Sequence, residues 1–295
     1  MTKPQRIAVI GLGNMGIPMA TRWIEAGYEV HGFDVSSTAL EHLTKIGGIS
    51  HATAAEAAIA AGTTILMLPN SVIVNNVLDD FREHSALLPS SVIIDMSSSE
   101  PLKTRANAEM LAVDGVTFFD APVSGGVRGA IAGTLTVMTG GDTTVIENHR
   151  ALLSCVGKVI HVGPVGAGHA VKALNNLLSA THLWLTSEAV YIAERFGVAP
   201  ETMLEVVNNS SGRSGSSEVK WPNFILPETF DSGFEARLML KDAQIATGLA
   251  DLLGIPTALG NELVTQWSLA MDDLPARSDH TEVARWIKQR GAESA

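Results

Sequence analysis

Apolar residues in the first half of the chain come in short runs, separated by segments where they recur every three or four positions. The runs are RIAVIGL (6–12), EVHGFDV (29–35), TTILMLP (63–69), SVIIDMS (91–97), VTFFDAP (116–122), GTLTVMTGG (133–141) and KVIHVG (158–163). Their length and β-branched content predict strands. MGIPMATRWIEAGY (15–28), STALEHLTKIG (37–47) and TAAEAAIAAG (53–62) carry helical spacing between them. Repeated β-α-β units predict an α/β fold with a parallel sheet and helices on both faces.

After Gly168 the pattern changes. Residues 169–197 hold no proline and no strand signal, and Leu174, Leu177, Leu178, Leu183, Ala189 and Ile192 recur at helical spacing. One long helix, about 40 Å at 1.5 Å per residue, is predicted. Further helices are expected over 200–209, 234–254, 258–272 and 281–291. With the boundary at the GPVGAG turn (163–168), a doubly wound domain of residues 1–164 precedes an all-helical domain of residues 165–295, and the long helix joins them.

Composition narrows the classes. The chain has 295 residues, enough for two domains, and 46% of them are hydrophobic. A formal charge of −11 argues against a nucleic-acid or anionic-membrane partner, though not against a small anionic substrate. The single cysteine, Cys155, makes no internal disulfide and reads as a small hydrophobe in a reducing compartment. The first residues, MTKPQRIAVIGLG, lack the pattern of a signal peptide, and no apolar stretch reaches the roughly 18 residues of a membrane span. A cytoplasmic protein is expected.

The first strand runs into Gly11-Leu12-Gly13-Asn14-Met15-Gly16, and a helix follows. A GxGxxG in this strand-turn-helix context is a dinucleotide site. Gly11 permits the tight turn, Gly13 lets a pyrophosphate approach the backbone, and Gly16 lets helix and strand pack closely. The helix N-terminus then offers free N–H groups to the phosphates. Asp34 closes the second strand, 23 positions after Gly11, where a carboxylate accepts from the ribose hydroxyls. It would repel a 2′-phosphate, and no arginine follows in VSSTALEH, so NAD is favoured over NADP.

GLGNMG, FDAPVSGGVRGAIAGTLTVMTGG (119–141), GHAVKALNN (168–176) and LMLKD (238–242) occur in this order across essentially the whole chain. Together they resemble the β-hydroxyacid dehydrogenase family, which includes 3-hydroxyisobutyrate and tartronate semialdehyde reductases, with 6-phosphogluconate dehydrogenase as a more distant relative. NSSGRSGSSE (209–218) looks more like the hydroxyisobutyrate branch, with Gly215 where that branch often carries tryptophan.

Such a substrate needs an anion cradle, a proton carrier and a hydride acceptor. The serine hydroxyl and backbone of Ser124-Gly125-Gly126, after a strand end and a proline, suit a carboxylate nest. Lys172 is flanked by Ala170, Val171, Ala173 and Leu174, and Asn175 and Asn176 lie three and four positions on, nearly on its face of the helix. The resemblance assigns the catalytic lysine to Lys172 and an orienting asparagine to Asn176, with Asn175 beside the substrate. Neutral Lys172 would accept the hydroxyl proton in oxidation, and its ammonium would protonate the alkoxide in reduction. A free lysine titrates near 10.4, so this role calls for burial.

The resemblance also implies cofactor contacts at Leu68, Pro69, Ser98 and Lys241, and Phe234 either covers the nicotinamide or is a core aromatic. No metal is expected. The nine histidines include no HxH or HExxH pair, and His169 and His182 read as polar helix residues. Arg128, Arg213 and Lys220 either engage a second anionic group or are solvated.

The leading reading is an NAD-dependent oxidoreductase of a 3-hydroxyisobutyrate-like acid, acting as a homo-oligomer, a dimer or tetramer. Serine, tartronate semialdehyde, sulfolactaldehyde and 4-hydroxybutyrate chemistry are alternatives. A rival of another class is a dinucleotide sensor without chemistry, which has no need of both Lys172 and Ser124-Gly125-Gly126. Imine reduction on the same fold is disfavoured by Lys172.

Overall fold

Each apolar run of the first half holds a strand. A computed structural model describes residues 5–293. The first four residues, part of the N-terminal stretch read above for a signal peptide, and the last two lie outside the described residues. The strands are β1 (Arg6–Ile10), β2 (Glu29–Phe33), β3 (Ile49–Ser50), β4 (Thr63–Leu66), β5 (Val92–Asp95), β6 (Thr117–Asp120), β7 (Val123–Ser124), β8 (Leu135–Gly140) and β9 (Gly157–Gly163). The sheet reads β3-β2-β1-β4-β5-β6-β8-β7, with β9 pairing β8.

From β3 to β6 every pair is parallel. β8 departs from the all-parallel expectation. It runs antiparallel to β6 and β7, and parallel to β9. The link from β7 to β8 holds only a short helix, and a parallel crossover needs a dozen or more residues.

The helices of this unit are α1 (Gly16–Glu25), α2 (Ser37–Lys45), α3 (Ala54–Ile59), α4 (Ser71–Glu83), α5 (Pro101–Val113), α6 (Gly126–Ala132) and α7 (Thr143–Ser154). Asn70 and Asp142 start α4 and α7 by accepting from Ile73 N and Val145 N at 3.1 and 3.0 Å. Such caps are worth about 1 kcal/mol each.

Alternate residues of one strand feed different cores. Ile7 and Val9 pack with Trp23, Leu43 and Ile65, while Ala8 and Ile10 pack with Ala57, Leu66 and Phe81. Both sheet faces are buried, which is why these strands read as continuous apolar runs rather than alternating ones. The chain leaves β1 towards β2 and β3, then returns on the other side as β4. The crevice at the carboxyl ends of β1 and β4 is the topological switch point, where doubly wound sheets bind ligands.

The later part is helical: α8 (Ala167–Phe196), α9 (Pro200–Asn208), a π-helical segment Ser216–Ile225, α10 (Ala236–Leu252), α11 (Ala258–Asp273) and α12 (Glu282–Glu293). Its core gathers Trp184, Trp221, Trp267 and Trp286. The Trp184 ring lies 6.2 Å from Trp267 and 5.7 Å from Trp286. The π-helical segment was not expected from the sequence. Pro222 has no amide to continue an α-helix, and Leu226 N reaches back five residues to Trp221 O at 2.9 Å.

The chain divides into two compact units, Met1–Lys172 and Ala173–Ala295. Among the described residues no helix is long and apolar enough to cross a membrane. Cys155 is half-buried at the end of α7, its thiol donating to Ala151 O.

Candidate active site

The turn after β1 is built by close approach of backbone to backbone. A Cβ on Gly11, where φ is +97°, would lie 2.3 Å from Met67 O beyond β4. A Cβ on Gly16 would lie 2.0 Å from Gly11 O. A Cβ on Gly13 would meet nothing within 4 Å. The first and third glycines are therefore demanded by the fold, while the second faces open space. The amides of α1 begin here with no side-chain cap at Met15, and Gly13 and Asn14 are exposed. Uncapped helical N–H groups behind an open glycine fit a pyrophosphate.

Asp34 sits just past β2 and grips this turn. One carboxylate oxygen accepts from Leu12 N at 2.7 Å and the other from Ser36 N at 2.8 Å. Each oxygen keeps a second lone pair for a ribose hydroxyl. The same side chain thus ties the glycine turn to the end of β2.

Leu68 and Pro69 follow β4, half-buried and exposed respectively. Leu68 N donates to Ser97 Oγ at 2.9 Å, a residue sequence reasoning passed over in favour of its neighbour. Ser97 N and Ser99 Oγ donate to the two oxygens of Asp95 at 3.0 and 2.8 Å. The DMSSS run is thus a knot at the end of β5, and the half-buried Ser98 stands between its two buried neighbours.

Ser124 ends β7, and Gly125 and Gly126 follow at φ +132° and +63°. Only glycine takes these conformations readily. They turn the chain into α6, whose first amides have no side-chain cap at Gly125. Ser124 and Gly126 are half-buried and Gly125 is exposed. The nest expected from the sequence is therefore the start of a short helix.

The first turn of α8 is anchored by a buried carboxylate the sequence reading did not single out. Asp120, at the end of β6, accepts from Gly166 N at 2.7 Å and from His169 N at 2.8 Å. Burial pushes its carboxyl up, opposed first by His169 and then by those amides. His169 is fully enclosed: Nδ1 meets Thr104 Oγ1 at 2.8 Å and Nε2 meets Ser97 O at 3.1 Å. Its imidazole lies 3.8 Å from both Asp95 and Asp120. The polar helix histidine expected from the sequence is thus the pin that joins α8 to the ends of β5 and β6. The FDAP segment carried this signal, since an aspartate closing an apolar strand needs partners.

Lys172 stands one turn after His169 and is buried, at 7% exposure. Asn176, one turn further, is also buried, and its Nδ2 donates to Asp242 Oδ2 at 2.6 Å. Asn175 is exposed and donates to Asn176 Oδ1 at 3.2 Å. Lys241 Nζ lies 3.3 Å from Asp242 Oδ1. Asp242 therefore draws together Asn176 and Lys241 in the helical unit. It is the last letter of LMLKD, overlooked beside the lysine. Phe234 packs with the helical core, its ring edge-on to His280 at 5.7 Å. Among the described residues no group of three or more His, Cys, Asp or Glu is placed to hold a metal.

A doubly wound sheet with this glycine turn at its switch point defines a dinucleotide-binding class. Comparison with known proteins supplies the family. Residues 6–163 match the NAD binding domain of 6-phosphogluconate dehydrogenase, and residues 166–287 match the NAD-binding domain of NADP-dependent 3-hydroxyisobutyrate dehydrogenase. The chain is 39% identical over 248 residues to 2-(hydroxymethyl)glutarate dehydrogenase of Eubacterium barkeri, covering 83% of this chain and 82% of that one. It is 34% identical to the NAD-dependent L-serine dehydrogenase of Pseudomonas aeruginosa, covering 95% and 97%. The solved 3-hydroxyisobutyrate dehydrogenase of Mycobacterium tuberculosis with L-serine superposes with a TM-score of 0.90 at 31% identity, covering 97% and 99%. The chain belongs to the β-hydroxyacid dehydrogenase family and is an NAD-dependent oxidoreductase acting on CH–OH groups.

Proposed function

We propose that the protein oxidises small β-hydroxyacids of the form HOCH2–CHR–COO⁻, the 3-hydroxyisobutyrate skeleton, to the matching semialdehydes, or runs the reverse reduction. The observation that carries this reading is the burial of Lys172, one turn after the pinned His169 and one turn before Asn176. The relatives named above act, by their names, on three acids that share this skeleton and differ in R.

Residues 1–164 are the dinucleotide domain, and residues 165–295 are the substrate and oligomerisation domain. Gly11, Leu12, Gly13, Asn14, Met15 and Gly16 cradle the pyrophosphate, and Asp34 takes the ribose. Leu68, Pro69, Ser98, Lys241 and Phe234 serve the rest of the cofactor. When bound, the nicotinamide supplies the hydride acceptor. Ser124, Gly125 and Gly126 hold the substrate carboxylate through hydroxyl and amides. Lys172 takes the hydroxyl proton in oxidation and returns it in reduction. Asn176, held by Asp242, orients the lysine and the hydroxyl, with Asn175 at the edge.

The protein works in the cytoplasm as a homo-oligomer. An apolar stripe of exposed Leu174, Leu178, Leu185, Ile192 and Phe196 along α8 supports a second copy as its cover.

The test is NADH formation by the purified protein with NAD⁺ and a panel of acids sharing the skeleton: 3-hydroxyisobutyrate, L-serine and 2-(hydroxymethyl)glutarate. Turnover of at least one, with 2-hydroxyacids of equal size inert, is the expected result. Silence across the panel overturns the reading.

A further inference from the structure

Sequence alone leaves three cations open between engaging a second anionic group and being solvated, and the structure separates them. Arg128 is exposed. Arg213 lies 3.7 Å from Glu218, both of them largely in solvent. Lys220 behaves differently. It stands on the π-helical segment, is half-buried, and donates from Nζ to Ser179 Oγ at 2.8 Å.

Ser179 fixes where that ammonium lies. It is three positions after Asn176 on α8, and residues three apart on a helix are neighbours on one face. Lys220 is therefore held over the same face of α8 as Asn176, one turn further along. Its ammonium is fixed there by a neutral hydroxyl rather than by a carboxylate. The acidic group facing it, Asp279, already serves other donors: Ser232 Oγ at 2.9 and 2.8 Å, Gly233 N at 2.8 Å, and Thr281 N and Oγ1 at 2.9 and 2.6 Å. His280, the other titratable neighbour, is pushed down to about 3, chiefly by burial, and so is neutral near pH 7. Lys220 itself is lowered to about 8 by burial, against the support of Asp279. It keeps its proton at neutral pH, at a desolvation cost that Asp279 offsets only in part and that no close ion pair among the described residues removes. A half-buried cation so placed suits an anion supplied by a ligand.

We propose that Lys220 reads a second carboxylate on the substrate, so that the preferred acid is a dicarboxylate HOCH2–CHR–COO⁻ whose R group ends in a carboxylate. This rests on the proposed oxidation of that skeleton. The hydroxyl meets Lys172, and R extends along α8 past Asn176 towards Ser179. Lys220 then determines specificity without taking part in proton or hydride transfer.

The test compares the wild type, Lys220→Met and Lys220→Arg on two acids with NAD⁺: 3-hydroxyisobutyrate, where R is methyl, and 2-(hydroxymethyl)glutarate, where R carries the second carboxylate. The wild type should favour the diacid in kcat/KM by at least about tenfold, the usual range for a charge-assisted bond. Lys220→Met should lower that ratio by a similar factor, through the KM of the diacid, and Lys220→Arg should keep most of it. The wild-type ratio should also fall as pH rises through about 8, where Lys220 loses its charge.

One arm needs no variant. Glutarate should inhibit the wild type more tightly than butyrate below pH 8 and lose that advantage above it. A ratio unmoved by Lys220→Met, or inhibition by glutarate and butyrate with the same pH dependence, overturns the proposal and leaves the oxidation standing. Failure of the wild type to turn over either acid removes both.

Discussion

The glycine turn and the face of α8 are two candidate sites made from different materials. At the turn, the binding surface is backbone. Gly11 and Gly16 are fixed because main-chain atoms come within 2.3 and 2.0 Å of where their side chains would begin. On α8 the surface is side chain. Asn176 depends on Asp242, 66 positions away, and Ser179 meets Lys220, 41 positions away. A backbone site is written in consecutive letters, because each residue's geometry is set by its neighbours. A side-chain site is written in letters that only folding brings together.

The comparison is tested hardest at Lys172. If the α8 face does its work through side chains, one truncation should remove the chemistry and leave cofactor binding. Lys172→Ala should lower kcat by at least 10²–10⁴-fold, the usual worth of general acid–base catalysis, with NADH affinity within a few-fold of wild type. Lys172→Arg should not restore it, because a guanidinium does not give up its proton near neutral pH. Stopped-flow turnover and NADH fluorescence give the two readings. A kcat near wild type in the alanine variant returns Lys172 to a structural role.

This division explains what the sequence disclosed. The apolar runs located the central strands, because both sheet faces are buried and every position must be apolar. GLGNMG and Asp34 were legible for the same local reason. The antiparallel turn of β8 was not, since its direction depends on how short the link through α6 is. The π-helical segment was hidden as well. Its signal is one proline inside a mixed stretch whose Trp221, Phe224 and Ile225 are buried. For Asp120 the FDAP segment signalled a need for partners, but not which ones. Its role appears only when Gly166 and His169 arrive from 46 and 49 positions on.

A second test separates two uses of glycine within the turn itself. Alanine at Gly16 would place its Cβ on Gly11 O, so Gly16→Ala should destabilise the protein by about 1–3 kcal/mol, as overpacking does. Alanine at Gly13 meets no protein atom, so Gly13→Ala should leave the Tm of the free protein within a degree or two. It should instead raise the Kd for NADH by at least about tenfold, because the added methyl occupies the approach to the amides. Calorimetry and NADH titration of the two variants should give opposite rankings. Equal loss of stability at both positions contradicts a phosphate role for Gly13.

Asp34 offers the mildest and most discriminating test, because it is the one side chain within a backbone-built site. Its carboxylate holds Leu12 N and Ser36 N, and on the proposed reading it also takes the ribose. Removing it costs the turn two hydrogen bonds to a charged acceptor and, on the proposed reading, the cofactor one partner. Asp34→Ala should therefore weaken NAD⁺ several-fold while relieving the repulsion of a 2′-phosphate, so the preference for NAD⁺ over NADP⁺ narrows from the NADP⁺ side. Asp34→Asn sharpens the point. The amide oxygen can still accept from one backbone amide, but the negative charge is gone. If charge sets the preference, asparagine should narrow it nearly as far as alanine while losing less stability. If the preference follows only the shape of the turn, asparagine should behave as wild type in cofactor choice, and the two variants would part in kcat/KM for NADP⁺ rather than for NAD⁺.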